Sequence, residues 1–331
     1  MTPKQLEKYL QFAIQNTLPV LIKGKPGIGK SDIVTQAATA AGAELIITHP
    51  VVSDPTDYKG LPFASNGEAH FLPFNELKML IDATHPTVYF LDDLGQAPPS
   101  VQAAIMQLLL ARRINGFKVS DSVTFVAATN RKEDKAAVSG MLEPVKSRFA
   151  SIVELEVTTD DWVKWALGSN MPTELISFVR FRPDLLEKFE PSRDIINSPS
   201  PRTVANIGRQ QNCGLDKELE YEVFKGAAGE GFAIEYTSFL KLYRELPNID
   251  SIILDPKNAK IPSQPGTMYA LSGLLASKMS DTNIGAITQY LDRLSPEISV
   301  SCMKDAITRK QELTNTRGFI AWAADKSDLM L

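Results

Sequence analysis

Apolar positions along the chain switch between two periods, and each switch marks an element. Leu6, Tyr9, Leu10 and Ala13 fall at i, i+3, i+4 and i+7, which predicts a helix. Its start lies in Thr2-Pro3-Lys4-Gln5: Thr2 can cap, Pro3 suits the first helical position, and Gln5 can close a capping box. The run 18–22 is too short for a helix and gives way to Gly24, so it predicts a buried strand. Helical spacing resumes with Val34, Ala37, Ala38 and Ala41, and later with Val101, Ala104, Ile105, Leu108 and Leu109. Residues 45–47, 88–91, 123–128 and 152–155 predict further strands. Segments 61–65 and 68–74 flank Asn66-Gly67, a two-residue hairpin signal, after a turn-rich loop over 54–60.

Strands apolar on both faces, alternating with helices, predict an α/β unit over residues 1–156 with a parallel sheet flanked by helices. The pattern then becomes helical only, over 158–167, 173–189, 201–211, most of 216–246, and pieces after 267, one of them marked by Ile284, Ile287, Leu291 and Leu294. Pro256, Pro262 and Pro265 fall in a loop-like stretch, 255–266, which separates an all-α unit over 157–246 from a helical C-terminal extension over 247–331. No internal repeat or low-complexity run interrupts this order.

A length of 331 residues fits two or three domains. With 35 basic and 39 acidic residues, the net charge of −4 supplies no field for holding nucleic acid non-specifically, although a local basic strip stays open. Cys213 and Cys302 have no zinc or redox spacing and are expected to be buried or half-buried thiols. His49, His70 and His85 have no metal spacing either, and His85 is expected in a loop. Trp162, Trp165 and Trp322 are expected in cores. No segment approaches the ~20 apolar residues of a membrane span, and no apolar signal core opens the chain, so a cytoplasmic setting is expected.

The candidate chemistry starts at Gly24-Lys25-Pro26-Gly27-Ile28-Gly29-Lys30-Ser31, which matches G-x-x-x-x-G-K-[ST] between a predicted strand and a predicted helix. A triphosphate must be wrapped by backbone N–H groups, so the loop has to turn tightly, and the helix then aims its positive end at the anion. Lys30 places a cation on the β- and γ-phosphates, and the Ser31 hydroxyl is suited to Mg²⁺. The strand ending in Asp92-Asp93 delivers carboxylates to the edge of a parallel sheet where ligands bind. Asp92 is expected to hold Mg²⁺ through water, and Asp93 to polarise the attacking water. Asn130 ends the strand over 123–128; alone it would be an ordinary strand-end cap, but beside the carboxylate strand it can orient water near the γ-phosphate.

GKPGIGKS, VYFLDDLGQAPPSVQAAIMQLLLARRI, VTFVAATN, SRF and SPRT occur in an order that resembles AAA+ ATPases, and in detail the MoxR and dynein-related branch. The resemblance covers at least residues 5 to 245. It implies a P-loop NTPase fold with an all-α lid. It implies that ATP and Mg²⁺ are bound by Gly24, Pro26, Gly27, Ile28, Gly29, Lys30, Ser31, Asp32 and Arg202, with Ser31 and Asp92 on the metal. Lys30, Asp92, Asp93 and Asn130 take the Walker A, Walker B and sensor 1 roles, Arg148 the arginine finger and Arg202 sensor 2. Because such a finger comes from a neighbouring subunit, the resemblance implies a closed head-to-tail ring, usually a hexamer. MoxR-like proteins often act as chaperone-like partners of von Willebrand factor A proteins, so a protein partner is implied.

One residue departs from the family, which has Glu where this chain has Asp93, one methylene shorter. The hairpin over 61–74 looks like the helix-2 insert of this branch, which points to a ring pore or a partner. Phe63, His70, Phe71 and Phe74 give it bulk, with Phe71 and Phe74 expected to pack against the body instead. A nucleic-acid motor or loader on the same core, and an assembly switch that hydrolyses ATP weakly, remain open. A small-molecule kinase fits the SRF and SPRT elements less well.

Overall fold

In the computed structural model, residues 1–131, 140–188 and 194–326 are described. The predicted helix end at Phe189 and the last residues of the tail, 327–331, lie outside them. Two compact units divide at Val157 and Thr158.

The first unit holds α1 (Pro3–Gln15), β1 (Val20–Lys23), α2 (Lys30–Ala40), β2 (Glu44–Thr48), α3 (Thr56–Lys59), β3 (Leu61–Ser65), β4 (Glu68–Leu72) and α4 (Asn75–Asp82). After these come β5 (Thr87–Leu91), α5 (Pro99–Ala111), β6 (Arg113–Ile114), β7 (Phe117–Lys118), β8 (Val123–Thr129), α6 (Glu143–Lys146) and β9 (Ser151–Glu154). Thr2 and Gln5 form the expected capping box on α1.

Five strands form one parallel sheet in the order β2-β5-β8-β1-β9. Its central strands are apolar on both sides because alternate residues enter different cores. Val20 and Ile22 of β1, Val88 and Phe90 of β5, and Val126 and Ala128 of β8 pack with Leu6, Leu10, Val34 and Ala37 of α1 and α2. Leu21, Tyr89, Leu91, Phe125 and Ala127 face the opposite way, onto Leu77 and Leu80 of α4 and Val101, Ile105 and Leu108 of α5. In register, Lys23 stands beside Thr129, and Leu91 beside Ala127, so the residues that follow β1, β5 and β8 emerge at one edge.

Leu61 to Leu72 form the expected antiparallel hairpin, with Phe63 opposite His70. Phe71 is exposed, not packed on the body as expected, and Leu61, Phe63 and Leu72 are exposed with it. A two-stranded ribbon has two faces and covers neither by itself. A second hairpin, β6–β7, turns through Asn115 and Gly116, both at positive φ.

The second unit is helical: α7 (Thr159–Gly168), α8 (Thr173–Phe181), α9 (Pro201–Asn212), α10 (Glu220–Ala228), α11 (Glu230–Arg244), α12 (Ile249–Leu254), α13 (Pro265–Lys278), α14 (Ile284–Leu291), α15 (Pro296–Arg309) and α16 (Arg317–Asp325). The α8 helix stops at Phe181, earlier than its apolar pattern suggests, because Pro183 disfavours helical backbone at Arg182. Phe178 sits at the hub of this unit, its ring 5.3 Å from Phe232, 4.9 Å from Tyr236 and 5.5 Å from Phe239. Glycine at 273 lets α13 approach α8: a Cβ there would lie 1.9 Å from Ser177 Oγ. Buried Asp305 of α15 accepts two bonds from Arg180 of α8. Leu271, Leu275, Ile287, Leu291, Met303 and Trp322 centre a further core over α12 to α16.

Trp162 and Trp322 are buried as expected, and Trp165 is half-buried. Cys302 is buried, but Cys213 is exposed where a buried or half-buried thiol was expected; it caps the C-terminus of α9, where the chain turns out toward solvent. His85 lies in a loop and meets Glu44 at 2.9 Å. Among the described residues no helix is long and apolar enough to cross a membrane.

Candidate functional site

The site forms where β1, β5 and β8 end together. Residue 24 leaves β1 with its N–H donating to Thr129 O at 3.2 Å. Glycine suits it, since a Cβ would stand 2.7 Å from Ile28 Cδ1 and 3.3 Å from Leu155 O and both neighbours would have to give way. Ile28 is buried in the core beneath the loop, and Pro26 and Gly27 are half-buried. Residue 29 caps α2 at φ 93°, a conformation glycine alone adopts without cost. Asp32 stands exposed in the first turn of α2.

Lys30 is 6% exposed. Its ammonium donates to Gly24 O at 3.0 Å, Lys25 O at 2.8 Å and Asn130 Oδ1 at 2.7 Å. Ser31 Oγ donates to Asp92 Oδ2 at 2.8 Å. Asp92 is fixed on both sides, because its other oxygen accepts the Asp93 N–H at 3.1 Å and its own N–H donates to Thr48 O at 2.9 Å. Lys30, Ser31, Asp92, Asp93 and Asn130 are therefore one connected cluster, assembled from two strand ends and one helix start.

Asp93 has φ 57° and ψ 33°, a left-handed backbone that costs about 1 kcal/mol or more for a residue with a Cβ. Its turn is closed by Gln96 N–H donating to Asp93 O at 3.0 Å. In the orientation that satisfies its neighbours, the Gln96 carboxamide donates to Asp93 Oδ1 at 2.9 Å and accepts from Asn130 Nδ2 at 2.8 Å. Asn130 also donates to Asp93 Oδ1 at 3.3 Å. Gln96 was not foreseen from the sequence; the only signal was its position three residues beyond a strand-end carboxylate.

Beside the cluster, the carboxylate of Glu154 pairs with Lys23 at 2.9 Å and Arg131 at 3.5 Å. The Lys23 hydrogen bond, with help from Arg131, holds Glu154 below the usual carboxylate range despite partial desolvation. Arg148 is not brought into the cluster: it follows α6, donates to Ser147 Oγ at 3.3 Å, and keeps a buried Nε without a partner among the described residues. Arg202 lies in the second unit, exposed on the first turn of α9, which is capped by Ser200 and Thr203.

The residues present fit a magnesium nucleotide. The close-packed glycine at 24 and the left-handed one at 29 shape a loop whose lysine is already turned inward. A hydroxyl held on a carboxylate is the kind of oxygen pair that could hold a magnesium ion together with phosphate and water. Among the described residues no three His, Cys, Asp or Glu side chains gather as a metal cage, so a cation here would be shared with a ligand.

Residues 19–149 match the family model described as AAA domain (dynein-related subfamily). No curated protein matches the chain. Solved structures similar to it include Thermotoga maritima RuvB, titled a Holliday junction branch migration motor, at 15% identity over 97% of this chain and 87% of that one, with a TM-score of 0.37. NtrX from Brucella abortus is similar at 14% identity over 98% of this chain and 67% of that one, with a TM-score of 0.40. The ADP complex of NtrX gives 13% identity, 99% and 68% coverage, and a TM-score of 0.36. The matched stretch takes in the strand, the phosphate loop and both carboxylates, so residues 19–149 of this chain are similar to an AAA domain of the dynein-related subfamily.

Proposed function

We propose that this protein binds ATP with Mg²⁺ at the Lys30 cluster and hydrolyses it in a head-to-tail ring, using the cycle to remodel or activate a partner protein. The observation that carries this reading is the joining of Lys30, Ser31, Asp92, Asp93 and Asn130 through bonds of 2.7–3.3 Å. Lys30 neutralises the β- and γ-phosphates. Ser31 and Asp92 hold the magnesium ion, which when bound draws charge from the phosphate oxygens. Asp93 takes a proton from the attacking water as the γ-phosphoryl bond to ADP breaks, and Asn130 orients that water. Arg148 completes the site from the neighbouring subunit, and Arg202 acts as sensor 2 on a lid over 157–246, followed by an extension over 247–331. An arginine in the finger role contributes roughly 10³–10⁵ in rate in other NTPases.

Leu61, Phe63, Phe71 and Leu72, exposed together on one hairpin, support a protein partner. A MoxR-like chaperone role with a von Willebrand factor A protein is the form we favour. The net charge of −4 weighs against a nucleic-acid motor, and unchanged turnover on adding single-stranded or duplex DNA would agree. The short Asp93 supports a second reading, an assembly switch with slow hydrolysis, for which assembly in ATP and ADP is compared alongside turnover. The test of the central claim is Lys30→Ala. Affinity for ATP·Mg²⁺ should drop by roughly 10–100-fold, the worth of hydrogen bonds from a charged group. Full affinity in that variant would overturn the site.

A further inference from the structure

We infer that Gln96 is a positioning residue for hydrolysis, holding the Asp93 carboxylate and the Asn130 carboxamide in a single three-residue clamp. This rests on the reading of Asp93 as the water-polarising base.

The physical case begins with reach. Aspartate has one rotatable bond fewer than glutamate, so its carboxylate goes where the backbone sends it. Here the backbone at Asp93 is left-handed and the carboxylate leaves the strand end on a fixed pivot. Two amide donors meet its Oδ1, from Gln96 at 2.9 Å and Asn130 at 3.3 Å. The shorter bond is the one from Gln96. The same Gln96 carboxamide accepts from Asn130 at 2.8 Å, and Asn130 in turn accepts from Lys30 at 2.7 Å. An unbroken line of hydrogen bonds thus runs from the phosphate-loop ammonium to the proposed base. Gln96 is the member that touches both the base and the sensor, and it is half-buried, so water competes poorly for its bonds. Removing its amide takes from Asp93 the shorter of these two bonds. Catalytic geometry is sensitive to displacements of about an ångström, so the loss should appear in the chemical step and not in binding.

The test uses the full chain with Gln96→Met, which keeps bulk and removes the amide, and Gln96→Glu, whose ionised carboxylate cannot donate to Asp93. In both, kcat should fall on the order of 10-fold, a part of the 10²–10⁴ a general base supplies, with ATP·Mg²⁺ affinity and melting temperature unchanged. In an Asp93→Asn background the Gln96→Met change should cost no further rate, because the two residues act as one unit. Unchanged kcat in Gln96→Glu, or losses that simply multiply in the double variant, would overturn the inference while leaving the Asp93 assignment standing. Full turnover in Asp93→Asn alone would instead remove the reading beneath it.

Discussion

Ser31 Oγ donates to Asp92 Oδ2 at 2.8 Å, tying the first turn of α2 to the end of β5. The bond joins two elements 61 residues apart in sequence and aims a hydroxyl and a carboxylate at one point. Replacing Ser31 with Ala removes one of the two protein groups we propose for magnesium. We expect the Mg²⁺ concentration for half-maximal turnover to rise by about 10-fold, on the scale of one hydrogen bond to a charged group. A magnesium titration of ATP turnover checks this, and an unshifted midpoint would remove Ser31 from the metal.

Gly273 of α13 faces Ser177 of α8 so closely that a side chain would force Ser177 to move: an added Cβ would lie 1.9 Å from Ser177 Oγ and 3.2 Å from its Cβ. Glycine to alanine in a helix ordinarily gains about 1 kcal/mol. Here Ser177 is buried and donates to Thr173 O at 2.8 Å, so turning its hydroxyl away breaks that bond. Overpacking costs about 1–3 kcal/mol and should outweigh the helical gain. Gly273→Ala is therefore expected to lower stability in urea unfolding, and Ser177→Ala in the same chain to restore part of it.

Glu154 gives a pH dependence with a definite sign. Its folded-state pKa is lowered, first by the Lys23 hydrogen bond, so the ionised form stabilises the fold. That stability is present above the ordinary carboxylate value and is lost as pH falls through the lower folded value. The pair is partly exposed, so after solvent screening it contributes about 0.5 kcal/mol. Glu154→Gln should be slightly less stable than the parent at neutral pH and equal to it in acid; a gap that stays constant with pH would refute the pairing.

The two thiols should differ in reactivity. Cys302 is buried, and burial pushes its thiol up to about 12, while its Sγ meets Ser272 O at 3.3 Å. Cys213 is exposed. A thiol reagent at neutral pH should modify one cysteine per native chain and both after unfolding, with peptide mapping assigning the first to Cys213. Rapid native labelling of Cys302 would contradict the packing of α13 against α15.

The sheet was legible because its central strands carry apolar residues on both faces, as Val88 to Leu91 do, and because Gly24 and the Asp92-Asp93 pair punctuate their ends. The phosphate loop was legible because its chemistry fixes residue types at fixed spacing. The β6–β7 hairpin was missed: two-residue strands are too short for any period, and Asn115-Gly116, the same turn signal as Asn66-Gly67, was its only mark. Gln96 was missed for a different reason. Its role depends on a turn at positive φ that carries it back onto Asp93, and no spacing rule encodes that return. Exposure of Phe71 could not be read either, since a phenylalanine in a ribbon looks alike in sequence whether covered or bare.

All three protons of the Lys30 ammonium have protein acceptors, two loop carbonyls and the Asn130 amide. A ligand arriving there performs an exchange of partners rather than the capture of a naked cation. The net gain is the difference between phosphate and the partners it displaces. Substituting Asn130 by a residue that cannot accept should therefore tighten grip on the nucleotide even as it slows the reaction, so that affinity and turnover move in opposite directions along the same side chain.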